Sequence, residues 1–293
     1  MPSIKQQTQA EPPDSLIEFP FRLKSALSEF AVREDLHVRQ MDDEAKSRLL
    51  RIREAQYTED GKLSKFTSLS GCLFSDEIGP DIDEIDEFCS SNYMLIAPSL
   101  ERAKEFNFAL KLSGNSASAL YIGYKTTTPA KYFLGTPCFF GQDALSVEES
   151  DVAGLVELVK LIEHARTDKK LQTMREIYMH ALTRERRKES RFIELAIILE
   201  MLLLPTSSAE LSYRFSLRLA KLMSKHTGEP IVDVFKLARR IYTTRSRLVH
   251  AGVDTDIDDI APTAYDYVRM LLVAYLRDRN LFHEESLDHL CLG

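Results

Sequence analysis

The spacing of apolar positions changes character once along this chain, near residue 146. Before that point, short runs rich in Tyr, Phe, Ile and Thr are interrupted by Gly, Pro, Ser and Asn. Lys65 to Phe74 (KFTSLSGCLF), Asn92 to Ala97 (NYMLIA), Ala119 to Lys125 (ALYIGYK) and Lys131 to Phe140 (KYFLGTPCFF) therefore predict strands. Gly114-Asn115 and Gly135-Thr136-Pro137 are the turn candidates between them. Ala45 to Gln56 (AKSRLLRIREAQ) predicts one polar helix. Residues 1–15 (MPSIKQQTQAEPPDS) are polar and Pro-containing and predict a disordered tail. Residues 16–145 then form a small α+β domain whose role the sequence leaves open.

From Ser146 onward the apolar positions recur at three and four residues. In Val147 to His164, Val152, Leu155, Leu158, Val159 and Ile162 make one amphipathic stripe. Leu171 to about Leu204 continues as helix, with a break near Lys188 and a stop at Pro205. Ala209 to Lys225 follows, with Ser207 or Ser208 as cap, and then Ile231 to His250, with Pro230 before it and Gly252 just past it. Tyr265 to Asp278 closes the set. The expected architecture is α+β overall, with an all-α bundle over residues 146–293 preceded by the small β-containing domain.

Composition narrows the class. A chain of 293 residues with 44% apolar and 28% charged residues can bury a core without staples. Cys72, Cys89, Cys138 and Cys291 include no C-x-x-C pair, so reduced thiols are expected and no metal site is. The apolar run Phe192 to Leu204 is interrupted by Glu194 and Glu200 and falls short of the roughly 20 residues of a membrane span. It predicts a buried core helix. With no apolar segment at the start, a cytoplasmic location without membrane attachment is expected.

The net charge of −7 is unevenly spread. Residues 1–150 carry 24 acidic and 16 basic residues, whereas the remainder carries 21 acidic and 22 basic. Much of the acidity lies in Asp76 to Glu87 (DEIGPDIDEIDE), which lacks the ligand spacing of a calcium loop. That segment reads as a solvated loop that could cover basic surface elsewhere. No Gly-rich phosphate signature is present, so no cofactor is expected.

Candidate chemistry gathers in Ile241 to Gly252 (IYTTRSRLVHAG). Arg245 and His250 are five residues apart, about 140° around the helix axis, while Ser246 and His250 stack at four residues. The helix C-terminus carries partial negative charge and favours an imidazolium there. Arg, His and a hydroxyl make a set able to cleave a phosphodiester without metal: His moves the proton of a 2′-OH or a leaving 5′-oxygen, and Arg holds two phosphate oxygens.

The segment is accompanied by Leu199-Glu200-Met201-Leu202-Leu203, by Tyr213-Arg214 through Arg218-Leu219-Ala220, and by Tyr242 through Arg245-Ser246 to His250. In this order and composition, residues 145–280 resemble the HEPN superfamily, specifically the ApeA-like HEPN domain. Ala251 stands where that pattern has Gly directly after His, with Gly252 one residue later. The resemblance implies a HEPN-like helical bundle acting as a metal-independent endoribonuclease. RNA, often tRNA, would be cut by 2′-OH attack to leave a 2′,3′-cyclic phosphate. It also implies a homodimer with two Arg/His motifs facing one cleft, and a setting in phage defence or a toxin–antitoxin pair with an antitoxin or phage-derived activator as partner. Other members of the superfamily are inactive, so the alternative is a non-catalytic nucleotide- or protein-binding dimerisation module. Catalytic candidates are Arg245, His250 and Ser246.

Charge patterning adds to this set. Arg214, Arg218, Lys221 and Lys225 follow steps of four, three and four and predict a basic row on one helix face. Lys236, Arg240 and Arg247 form a second row on the motif helix. Arg214, Arg218, Lys221, Arg240 and Arg247 are the RNA-binding candidates. Arg184, Arg186, Arg187, Lys188 and Arg191 read as an exposed cluster interleaved with Glu185 and Glu189. Glu200 shares a helix face with Ile193, Ala196, Ile197 and Leu204, so its head needs a partner, Arg214 or Arg245, and an orienting role. His37, His164, His180, His226, His283 and His289 are isolated and read as surface or capping residues.

Overall fold

The computed structural model describes residues 16–47, 67–68, 91–114, 120, 122–125, 131–133, 145–182, 187–206, 209–252 and 257–292. The chain is α+β and separates into two compact units. The first comprises residues 1–104, 120–135 and 146–149, and the second residues 105–119, 136–145 and 150–293.

The first unit is built on a sheet whose strands are β1 (Ile17–Phe21), β2 (Glu29–Arg33), β3 (Leu36–Gln40), β4 (Thr67–Ser68), β5 (Tyr93–Ala97), β6 (Ile122–Lys125) and β7 (Lys131–Phe133), in the order β2-β3-β5-β1-β6-β7-β4. All neighbours are antiparallel except β4 and β7. β1 is buried along its whole length and pairs Ile17 with Ala97 through Phe21 with Tyr93. Its pairing with β6 stops at Glu18, before Pro20, whose ring nitrogen has no hydrogen to give a second neighbour. Asn92 extends the β1–β5 edge. Its amide oxygen accepts from the Leu23 N–H at 2.9 Å and its nitrogen donates to the Leu23 carbonyl at 2.7 Å. The Tyr93 hydroxyl lies against the Ser25 and Leu27 carbonyls and pins the following loop.

All four predicted strand segments contain a strand, although β4 and β7 are short. The three N-terminal strands, β1 to β3, were not anticipated; β1 carries Pro20 inside its run, which reads against a strand paired on both sides. Helix α1 (Leu100–Ser113) was also unanticipated. The predicted polar helix begins two residues early, at 43, and is helical to 47; its residues from 48 onward lie outside the described residues, as do Asp76 to Glu87 and Cys72, Cys89 and Cys138.

The second unit holds the C-terminal part of α1 with α2 (Glu149–His164), α3 (Lys169–Ala181), α4 (Lys188–Leu203), α5 (Leu211–Thr227), α6 (Ile231–Ala251), α7 (Ile257–Arg277), a 3-10 turn (Arg279–Phe282) and α8 (Glu284–Leu292). α4 is the core helix the apolar run predicts, burying Phe192, Leu195, Ala196, Ile198, Leu199, Leu202 and Leu203. No helix among the described residues is long and apolar enough to cross a membrane.

Local signals set the helix ends. Asp168 caps α3 by accepting from the Leu171 N–H at 3.1 Å. Gly228 and Gly252 close α5 and α6 at φ 75°, where a side chain would be strained. Ser207 and Ser208 lie outside the described residues, and the α5 cap position is taken by Glu210, itself at φ 53°. α7 starts at Ile257, eight residues before the predicted start at Tyr265. It tolerates Pro262 because that residue is in its second turn, where only the carbonyl of the exposed Asp258 loses an intrahelical donor. Tyr178 and Tyr265 stack in the interior with centroids 5.9 Å apart, and burial holds both phenols above their ordinary range.

Candidate functional site

α6 positions the Arg/His pair. Its buried stripe, Val234, Ala238, Ile241, Thr244 and Leu248, packs into the unit, so the residues between these emerge at its edges. Arg245 and Ser246 are half-buried, and His250 is exposed in the last turn.

Glu200 on α4 faces Arg245. Its Oε2 is 3.2 Å from Arg245 Nη2, which selects Arg245 rather than Arg214 as its partner. The carboxylate keeps 23% of its side-chain surface, so it stands at the margin of the core rather than inside it. Burial raises its pKa, and the Arg245 guanidinium offsets part of that rise. One consequence is orientation: with Nη2 held by Glu200, the Arg245 Nε–H is buried without a hydrogen-bond partner among the described residues. A buried donor in this state favours any acceptor that can reach it.

The first basic row divides. Arg218 is fully buried. Its Nη1 donates to the Leu203 carbonyl at the end of α4 at 2.6 Å, and its Nη2 lies 2.6 Å from both Glu284 Oε1 and Asp288 Oδ1 of α8. Arg214 reaches the same carboxylates, at 2.8 Å from Glu284 and 3.7 Å from Asp288. The row of four solvated cations is therefore corrected: its first two members clamp α8 to the end of α4, because the acids of α8 lie opposite. Arg218 has no surface to offer RNA. Lys221 is half-buried and Lys225 exposed.

The second row is on the surface. Lys236, Arg240 and Arg247 are all exposed on α6, with Lys236 3.5 Å from Asp233 and Arg240 3.9 Å from Asp259. Large apolar side chains of α5 and α6 are exposed as well, among them Tyr213 at 57%, Val232 at 59% and Val249 at 51%. Tyr213 packs edge-on against Phe235 at 6.1 Å, while Phe215 and Tyr242 meet at 5.4 Å beneath.

The remaining candidates are scattered. Lys188 pairs with Asp258 at 2.8 Å, and Arg184 and Arg186 lie outside the described residues. His180 is not isolated, since its Nδ1 is 3.0 Å from Glu194 Oε1 across α3 and α4. His283 lines a cavity that sequence spacing did not reveal, because its walls come from four separate segments. Comparison of the chain with protein-family models, with curated proteins and with solved structures finds no match in any of the three.

Proposed function

We propose that the helical unit is a HEPN-type, metal-independent endoribonuclease that uses Arg245 and His250 as its working pair. The observation that carries this reading is the state of Arg245. Its guanidinium is aimed by Glu200, and its buried Nε–H has no acceptor among the described residues, a place that a phosphate oxygen would fill. His250 is exposed about 7.5 Å further along the same helix, in its last turn.

The chemistry then divides by residue. His250 takes the proton of the attacking 2′-OH or delivers one to the leaving 5′-oxygen. Arg245 holds the phosphate and offsets charge developing on its oxygens. Glu200 fixes the guanidinium, and Ser246, one helical turn from His250, supplies a hydroxyl on the His face. Lys221, Arg240 and Arg247 guide the RNA backbone. Val249 exposes apolar surface next to His250, and Tyr213 and Val232 do so toward the start of α6, which suits pairing of two copies so that two motifs share a cleft.

A second reading, a non-catalytic dimerisation module, draws on the same Glu200–Arg245 contact and apolar surface, with Arg245 and His250 serving association alone. The two separate in cells. Expression of wild type and of His250→Ala, followed by sequencing of RNA ends, yields new cyclic-phosphate ends only with wild type if the nuclease reading holds. Identical RNA ends in both, with dimer stability lowered by the substitution, would establish the module. The phage-defence or toxin–antitoxin setting is tested by the growth cost of wild-type expression.

A further inference from the structure

A cavity of about 490 Å³ opens in the helical unit where α3 begins, α7 ends and α8 begins. Its basic side is made by Lys170, Arg279 and His283, and its apolar surface by Phe282, Pro205 and the ring of Tyr275. The volume lies within the range of sites for small organic ligands.

Three carboxylates stand at or near the cavity: Glu285, an exposed lining residue, and Asp168 and Glu284, which are already engaged. Asp168 Oδ1 accepts from the Leu171 N–H, and Oδ2 accepts from the Tyr275 hydroxyl at 2.9 Å while standing 3.5 Å from Arg279 Nε. Glu284 is gripped by Arg214 and Arg218. Lys170 itself has no carboxylate in ion-pair contact among the described residues. Its ammonium lies over the Tyr275 ring, 5.5 Å from the centroid. A half-buried ammonium set over an aromatic face and short of a carboxylate in contact is an arrangement that an anion improves.

We infer that this cavity binds a small phosphomonoester carrying a ring or other apolar body, its phosphate between Lys170 and Arg279 and its body against Phe282 and Pro205. Two cations with an exposed imidazole beside them suit a dianion better than a single carboxylate. The apolar wall gives the remainder of the ligand a surface that a bare phosphate would leave wet. Burial also holds the Lys170 ammonium below its ordinary range, with Asp168 only partly compensating, so an incoming anion makes the protonated lysine more favourable. None of this depends on RNA cleavage.

Calorimetric titration with phenyl phosphate, with inorganic phosphate as comparison, tests the assignment. Saturable binding of phenyl phosphate is expected, about tenfold tighter than inorganic phosphate. Lys170→Gln and Arg279→Gln each weaken it by about tenfold or more, the scale of one charge-assisted hydrogen bond. Lys169→Gln, an exposed neighbour, leaves it unchanged. Wild-type protein supplies a second readout that needs no variant: trinitrobenzenesulfonate labelling of Lys170 slows when phenyl phosphate is present, and labelling of Lys169 does not. Equal affinity in folded Lys170→Gln, or labelling of Lys170 at an unaltered rate, overturns the proposal.

Discussion

Glu200 Oε2 and Arg245 Nη2 stand 3.2 Å apart, joining the core helix α4 to the motif helix α6. The contact has a pH signature. Burial lifts the Glu200 carboxyl above its ordinary 4.5, and Arg245 recovers only part of the cost. A carboxyl with a raised folded pKa binds its proton more tightly in the folded chain. Its contribution to stability is complete below 4.5 and declines as pH rises through the raised value. Glu200→Gln removes that decline, so the melting temperature of the variant gains on wild type as pH rises from about 4 to 7. Parallel melting curves over that range would contradict the environment described for Glu200.

Arg218 gives a prediction of opposite character. It is fully buried, with two carboxylates and a main-chain carbonyl on its guanidinium. Arg218→Ala should lower stability by about 3 kcal/mol, because the acids of α8 lose their buried partner. Arg214→Ala, whose side chain is partly solvated, should cost less than about 1 kcal/mol. Urea unfolding of the two variants checks the contrast, and similar midpoints would refute the clamp.

RNA affinity should follow exposure rather than position in a sequence row. Lys221→Gln, Arg240→Gln and Arg247→Gln are each expected to reduce the slope of log affinity against log salt by about one, as each removes a phosphate contact. Arg214→Gln should leave the slope nearly unchanged, since its charge is spent on α8. Fluorescence anisotropy with a labelled RNA across a salt series measures this, and an effect of Arg214→Gln equal to the others would restore the intact basic row.

The sequence was legible where one face of an element is polar. α2, α5 and α6 present clean three- and four-residue stripes, and Gly228 marks the end of α5 while Pro230 and Gly252 bound α6. Legibility failed at β1, where Pro20 reads against a strand paired on both sides, and at α7, where Pro262 marks a helix start that lies five residues earlier. For the candidate site, the need of Glu200 for a partner could be read from its helix face, but the choice of Arg245 over Arg214 could not. That choice is made by Glu284 and Asp288, some seventy residues from Arg214, which no local pattern connects. The Lys170 cavity was illegible for the same reason.

The most direct test incubates purified wild type and His250→Ala with RNA in EDTA and examines the product ends. The account predicts cleavage by wild type with 2′,3′-cyclic phosphate ends, and a loss of at least about a hundredfold in His250→Ala, the scale of one general acid–base group. Equal cleavage by the two proteins, or no cleavage by wild type across RNA substrates that include tRNA, would contradict it.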